Sequence, residues 1–260
     1  MNLITLEQIR EYAQHITSAL ELSSHIVGVR LLKPGAELPT DGIQLKQHRY
    51  CQALMKARCG QSVTLDGAGI NCPAAAAAFG FRPLPEGLRN GSGLVGFGIV
   101  ADASVGQRMF QEMPTLPAGQ IHSLHVFPLE QTKALPDVIV IEDEVEKLMW
   151  VNLAYLNATG GKRLSSSTAI LQATCVDSTI IPFLEQRLNF SYGCYGCREA
   201  TDLGCNESVV GFPAAILPAL VVSLDHLAQK AIPNSRSKRA LAALQRQVDS
   251  GKNLHSKEGS

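Results

Sequence analysis

The stretch PDVIVIEDEVEKLMWVNLAYLNATGG, residues 136–161, decides the fold class. Its first part is a short, continuous apolar run after Pro136, which is typical of a strand buried on both faces. The rest carries apolar residues at helical spacing and ends on Gly160 and Gly161, which predicts a long helix with a glycine stop. A buried strand that leads into a helix is the building unit of α/β proteins.

Strands and helices alternate on both sides of this unit. The N-terminus MNLITLEQIREYAQHITSAL predicts an amphipathic helix. Further strands are predicted at SHIVGVRLL, SVTLD, GLVGFGIV, IHSLHVFPL, STAILQAT and SVVGFP, and further helices at HRYCQALMKARCG, CPAAAAAFG, SVGQRMFQEM, DSTIIPFLEQRL and AAILPALVVSLDHLAQ. The pattern therefore predicts an α/β or α+β fold, in which helices cover a mixed sheet.

The chain is predicted to form one compact body over residues 1–230, followed by a basic, partly disordered tail over residues 231–260. The segments LVGF and VVGF both precede a predicted helix, and each follows a helix that begins at a cysteine. This similarity suggests an internal duplication, with pseudo-symmetric halves at 20–135 and 136–230.

Composition favours a soluble protein with few surface charges. The 260 residues are 45% hydrophobic and 18% charged, and the formal net charge is zero. A neutral chain gives no reason to expect a nucleic-acid or anionic-membrane partner, and a charge-poor surface favours a homo-oligomer. The sequence has no run of about twenty apolar residues, so we expect a cytoplasmic protein without a membrane span.

The segment NFSYGCYGCREATDLGC, residues 189–205, contains a Cys-x-x-Cys motif formed by Cys194 and Cys197. Structural disulfides are rare in a reducing cytoplasm, so metal binding or a redox dithiol explains the motif better. A zinc ribbon normally pairs two such motifs, and this chain has a single one. The motif alone therefore leaves zinc, a dithiol and a cluster ligand open.

Five ordered motifs resemble those of the domain-of-unknown-function 169 family (DUF169), found largely in archaea and anaerobic bacteria. They are YCQALMKAR, CPAAAAAFGF, GLVGFGIV, ATCVDSTIIPFL and GCYGCREATD, and the resemblance extends to about Gln229. It implies no settled activity, but it implies a cysteine set at the positions where the family's motifs carry cysteine. These cysteines are Cys51, Cys72, Cys175 and Cys194, with Cys197 as a reserve ligand.

Four thiolates are the usual ligand set of a [4Fe–4S] cluster and equally a ligand set for zinc. Cys72 and Cys175 are both predicted at helix N-termini, where unpaired N–H groups favour the thiolate. We therefore predict an iron–sulfur protein with a redox or metallocofactor-related role, and zinc is the alternative metal. The resemblance to DUF169 implies that this role belongs to a low-oxygen metabolism.

Two other functions remain open. One is a thiol- or sulfur-handling enzyme that uses Cys194 and Cys197, with Arg198 lowering a thiolate pKa. Against it, the motif is predicted in a loop, whereas a thioredoxin-type dithiol begins a helix after a strand. The other is a small-molecule or tetrapyrrole-binding accessory protein whose cysteines fix the pocket. Cys59 is predicted to be a small buried hydrophobe, and Asp177 a helix cap.

Overall fold

The computed structural model describes the fold of residues 4–255 and the side chains of residues 4–248. Seven strands form one mixed sheet. They are β1 (Val27–Leu32), β2 (Ile43–Gln44), β3 (Val63–Asp66), β4 (Ser123–Pro128), β5 (Val138–Glu144), β6 (Asn189–Ser191) and β7 (Glu207–Pro213). The strand order is β2-β3-β4-β1-β5-β7-β6, and the pair β2–β3 is parallel whereas the other neighbouring pairs are antiparallel. The predicted mixed sheet is confirmed.

Helices surround this sheet. They are α1 (Leu6–Leu20), α2 (Tyr50–Arg58), α3 (Pro73–Ala78), α4 (Glu86–Arg89), α5 (Ser92–Gly96), α6 (Ala103–Gln111), α7 (Val145–Ala158), a π-helix (Ala173–Ile180) that continues as α8 (Ile181–Glu185), α9 (Tyr195–Ala200), α10 (Leu217–Arg236) and α11 (Arg239–His255). The stretch that opened the sequence analysis forms β5 and α7, as predicted.

Each face of the sheet is covered by its own set of helices. Strand alternation sends Val138 and Val140 of β5 to one face and Ile139 and Ile141 to the other. Helices α2, α3, α9 and the π-helix cover the first face, which we call the cysteine face. Helices α1, α7 and α10 cover the second, the long-helix face. Both faces are apolar and covered, which confirms the predicted α/β class.

The segment GLVGFGIV, predicted as a strand, is instead helical and forms α5. Gly91 precedes it with φ 81°, and a Cβ there would lie 1.9 Å from the Ala103 carbonyl oxygen, so only glycine lets α5 and α6 approach this closely. Helices α4, α5 and α6 share a small core with Leu94 and Phe110, and we call residues 86–111 the helical cap. The proposed equivalence of LVGF with VVGF is therefore wrong, because VVGF lies in β7.

The strands nevertheless repeat one arrangement. In the first half β4 lies between β1 and β3, in the second half β7 lies between β5 and β6, and β1 pairs with β5 in the middle. The helices do not repeat it, because α2 covers the cysteine face and α7 the long-helix face. The sheet thus has a similar strand order in the two halves, without a matching helical cover.

The segment STAILQAT, also predicted as a strand, has no regular structure before the π-helix begins at Ala173. Ile170 and Gln172 both have a φ of 56°, which lies in the left-handed region and is incompatible with a strand. All eight residues of the π-helix are buried. Asp177 therefore lies inside a helix, and its predicted role as a helix cap is wrong.

The segment predicted as a basic, partly disordered tail over residues 231–260 is helical where the structure describes it, and residues 256–260 lie outside the described residues. Helix α10 continues through Arg236, and α11 extends to His255, in a sequence rich in alanine, leucine and arginine that favours helix. Within the described chain, one helical stretch, Ala214–Val248, is long and apolar enough to cross a membrane by length and composition. Its residues Leu217 and Leu220 are fully buried on the long-helix face, and 33% of its apolar window is buried.

Gly211 provides a test of how the π-helix packs on the sheet. A Cβ at Gly211 would lie 1.8 Å from the Ser178 carbonyl oxygen, so Gly211→Ala forces the π-helix away from β7. We expect a loss of about 3 kcal/mol in the free energy of unfolding, the upper end for overpacking, measured by urea denaturation. Gly96→Ala is the matched control, because nothing lies within 4 Å of its Cβ. Equal stability of the two variants would contradict this packing.

Candidate functional site

Five cysteines from separate parts of the chain come together on the cysteine face, and we call them the cysteine site. They are Cys51, Cys72, Cys175, Cys194 and Cys197. Burial, and then the thiolates of Cys194 and Cys72, raise the pKa of Cys51 to about 12. Burial, and then the same two neighbours together with Cys51, raise the pKa of Cys175. The four cysteines implied by the family resemblance therefore lie on the same face of the sheet, and the reserve cysteine, Cys197, lies beside Cys194.

The first turn of α2 holds α9 in place. The Arg49 guanidinium donates a hydrogen bond to the Gly196 carbonyl oxygen at 3.0 Å and forms an ion pair with Glu199 at 2.6 Å. The Gln52 amide donates to the Ala200 carbonyl oxygen at 3.2 Å. These contacts join segments about 150 residues apart in sequence, and they fix the start of α2 against the Cys-x-x-Cys helix.

The π-helix brings Cys175 to the same place. Its Thr179 hydroxyl lies 2.9 Å from the Tyr50 hydroxyl, a fully buried hydrogen bond that joins the π-helix to the first turn of α2. The Cys175 thiol points back toward the Gln172 carbonyl oxygen at 3.6 Å. π-Helical turns are rare in proteins, and those that occur are often found at functional sites. Cys175 therefore lies in the first turn of a helix, as predicted, and Cys72 is the N-cap of α3.

The Cys-x-x-Cys motif begins a helix after a strand, and the predicted loop is wrong. Strand β6 ends at Ser191, Cys194 is the N-cap of α9, and its sulfur accepts the backbone N–H of Cys197 at 3.4 Å, as a serine oxygen would. In return, Cys197 Sγ accepts the backbone N–H of Cys194 at 2.9 Å, and the two sulfurs lie 3.2 Å apart as free thiols.

The two thiols of this motif have opposite pKa shifts. The hydrogen bond from Cys197 lowers the pKa of Cys194 to about 6, assisted by backbone N–H groups of Ala173 and Gly196 and opposed by burial. The same hydrogen bond, together with burial, raises the pKa of Cys197. These opposite shifts favour the thiolate at Cys194 and the neutral thiol at Cys197.

Arg198 does not have the role that the sequence suggested. Its guanidinium donates to the carbonyl oxygens of Gly204 at 2.7 Å and Glu207 at 2.9 Å, and also to that of Tyr192. These bonds close the loop between α9 and β7. Arg198 thus stabilises the backbone around the motif, and hydrogen bonds to sulfur account for the lowered thiol pKa.

Buried carboxyl groups beside the site were missed by the sequence analysis. Arg58 forms a buried ion pair with Glu142 at 2.8 Å and also pairs with Asp202. Burial raises the pKa of Glu142 to about 7 against the effect of Arg58, and burial also raises that of Asp177 to about 7, where Thr168 donates to the carboxylate at 2.5 Å. The signal that could have revealed Glu142 is a carboxylate inside the apolar run VIVIE.

The remaining cysteines stand apart from the site. Cys59 and Cys205 are exposed, so the prediction that Cys59 is a buried hydrophobe is wrong. Across the residues with described side chains, no group of three or more His, Cys, Asp or Glu has the spacing expected of metal ligands. The cysteine site is therefore a set of neighbouring thiols, of which the pair in Cys-x-x-Cys is the closest.

Comparison with known proteins gives a family but no activity. Neither the curated proteins nor the solved structures include a significant match to this chain. One family model, DUF169, described as an uncharacterised ArCR family, matches residues 15–223. This range includes every cysteine of the cysteine site, and it covers most of the chain. The chain belongs to the DUF169 family.

Proposed function

We propose that the cysteine site binds a [4Fe–4S] cluster through Cys51, Cys72, Cys175 and Cys194, with Cys197 as the reserve ligand. The observation that carries the proposal is the convergence of thiols from four separate segments: α2, α3, the π-helix and α9. A lone buried cysteine is commonly a small hydrophobe, but packing alone gives no reason to bring five together. An iron–sulfur cluster supplies one-electron transfer, which suits a redox or metallocofactor-related role.

Metal binding would change the protonation of the site. Burial, and then neighbouring thiolates, raise the pKa of both Cys51 and Cys175, so the metal-free site favours neutral thiols. Metal binding reverses this effect, because iron or zinc stabilises the thiolates and releases their protons. Arg49 lies close enough to Cys51 and Cys72 to offset part of the remaining charge.

Zinc remains the alternative metal, because four thiolates are a ligand set for zinc as well as for a [4Fe–4S] cluster. Among the described side chains, no group of three or more His, Cys, Asp or Glu is already arranged to hold a metal ion, so binding of either one requires the thiols to move together. Backbone N–H groups that bond to Cys194 Sγ would tune the reduction potential.

The same proposal includes the cellular compartment, the partners and the oligomeric state of the protein. All seven cysteines are free in the described chain, which suits a reducing compartment such as the cytoplasm. A redox partner is required for electron transfer, and we propose a partner that is neither a nucleic acid nor a membrane, because the chain carries no net charge. The low charge content keeps a homo-oligomer as our expectation.

Cysteine replacements test the ligand set. Protein purified without oxygen and reconstituted with iron and sulfide is expected to absorb near 400 nm, from thiolate-to-iron charge transfer. Cys51→Ser, Cys72→Ser, Cys175→Ser and Cys194→Ser should each reduce this absorbance and the bound iron by about half or more. The measurement is a visible spectrum with an iron and sulfide assay on each variant.

Cys59→Ser and Cys205→Ser are the matched controls, because both cysteines are exposed and lie outside the site. They should keep the full absorbance. Cys197→Ser distinguishes a reserve ligand, which is dispensable, from a required one. A colourless wild type after reconstitution would exclude the cluster, and equal absorbance in all variants would exclude these four cysteines as its ligands.

A second function, thiol–disulfide or sulfur chemistry at Cys194 and Cys197, is favoured by one observation. The motif begins helix α9 directly after strand β6, with its sulfurs 3.2 Å apart, so a disulfide between them needs little movement. The motif was predicted to lie in a loop, and that prediction argued against a dithiol. The observed position at the start of a helix removes the objection. In such chemistry Cys194 is the attacking thiolate and Cys197 the resolving thiol.

Alkylation of reduced, metal-free protein tests the dithiol. In a Cys59→Ser/Cys205→Ser background, the rate of Cys194 modification by iodoacetamide should reach half its maximum near pH 6, since the Cys197 hydrogen bond stabilises the thiolate. Cys197→Ala removes that bond and should shift the midpoint toward the ordinary cysteine value. Mass spectrometry of the labelled peptide gives the rate, and an unshifted midpoint in Cys197→Ala would refute this cause.

A further inference from the structure

A cavity of about 440 Å³ lies between the helical cap and the cysteine site. Its walls are the apolar side chains of Phe97, Ile99, Met109, Ile170, Leu171 and Tyr195, together with glycine and alanine. This volume falls within the range of small-molecule sites, which is about 300–1,000 Å³. The cavity is therefore large enough for one small ligand.

Three cysteine-bearing segments border the cavity or the cap. Tyr195 is in the cavity wall and lies between the two cysteines of the Cys-x-x-Cys motif. Leu171 is in the wall four residues before Cys175, and it also packs into the core of the cap. Ala74, two residues after Cys72, packs against the same core. A ligand in the cavity would therefore lie beside the cysteine site.

The side chains that line the cavity indicate what kind of ligand it binds. Phe97 is 63% exposed and Tyr195 is 56% exposed, so the cavity is lined by two aromatic residues that remain accessible to a ligand. Aromatic rings pack favourably against other flat rings, by offset stacking or edge contacts. None of the residues that line the cavity carries a charged side chain, so a charged ligand would lose hydration there without gaining a partner.

One wall of the cavity is strained. Ile170 is 48% exposed and has a φ of 56°, and its β-branched side chain makes the left-handed conformation costly. Gln172, two residues later, has the same φ and precedes the π-helix that carries Cys175. Strained backbone conformations of this kind cluster at ligand-binding and active sites, where the surrounding structure holds them in place.

We propose that this cavity binds an uncharged, flat aromatic molecule beside the cysteine site. Binding in the cavity does not depend on the proposed cluster, because the residues that line the cavity include no cysteine. Phe97 and Tyr195 hold the ring, and the strained Ile170 turn shapes the wall between the ring and Cys175.

Two fluorescent probes test the binding. N-phenyl-1-naphthylamine is uncharged, and 1-anilinonaphthalene-8-sulfonate has the same ring scaffold with a sulfonate added. The full chain should bind one molecule of the uncharged probe, and bind the sulfonate at least about tenfold more weakly. Phe97→Ala and Tyr195→Ala should each weaken binding of the uncharged probe by about tenfold. Val222→Ala is the control, because Val222 is 70% exposed on α10, and it should leave binding unchanged.

The outcomes separate the cavity from the cofactor. With a cluster present, the bound probe should be quenched relative to the Cys51→Ser variant, because the cluster absorbs in the region of probe emission. Binding without quenching supports the cavity and contradicts the proposed cofactor. Absent binding, or equal binding in Phe97→Ala and wild type, overturns the cavity proposal. If Phe97→Ala instead converts a dimer to a monomer in sedimentation while no probe binds, the surface is a self-association face and the proposal fails.

Ile170→Gly gives an independent readout that does not depend on removing an aromatic ring. Glycine adopts a φ of 56° without strain, so the melting temperature should stay the same or rise. Affinity for the uncharged probe should fall severalfold, because the turn loses its apolar side chain. A lower melting temperature with unchanged probe affinity would show that Ile170 is a structural residue only.

Discussion

The cysteine site depends on one close contact between the π-helix and β7. Gly211 presents bare backbone to the Ser178 carbonyl oxygen, and no side chain fits between them. Because Cys175 precedes Ser178 in the same helix, this contact sets how deeply its thiol lies. The Tyr50–Thr179 hydrogen bond then ties α2 to the π-helix, and the first turn of α2 in turn holds α9. Together these contacts fix the relative positions of three cysteine-bearing segments.

Long-range contacts decide which parts of the fold could be predicted from the sequence. The strand VIVIE and helix α7 are local patterns, and both were predicted correctly. The six-residue helix α9 was missed because its stability comes from the Cys194 cap and from Arg49, which is distant in sequence. The strand predicted at GLVGFGIV was wrong because Gly91 permits a helix–helix approach that no local pattern reveals. The site's cysteines were inferred from family motifs, whereas its cavity and buried carboxyl groups depend on tertiary packing.

The electrostatics of the site connect its two possible chemistries. The same hydrogen bonds that favour a Cys194 thiolate for attack on sulfur also prepare it as a metal ligand. Glu142 and Asp177, each with a pKa raised by burial to about 7, lie close enough to sense its charge. The apolar cavity is bordered by Tyr195 of the same motif.

The most direct test of the cluster is native mass spectrometry on protein prepared and sprayed without oxygen. A mass increase equal to four irons and four sulfides per chain is the expected result, because four thiols from separate segments meet at one site. An increase equal to one zinc ion would identify a mononuclear centre instead. A metal-free mass after reconstitution would contradict the cluster and leave Cys194 and Cys197 as a dithiol.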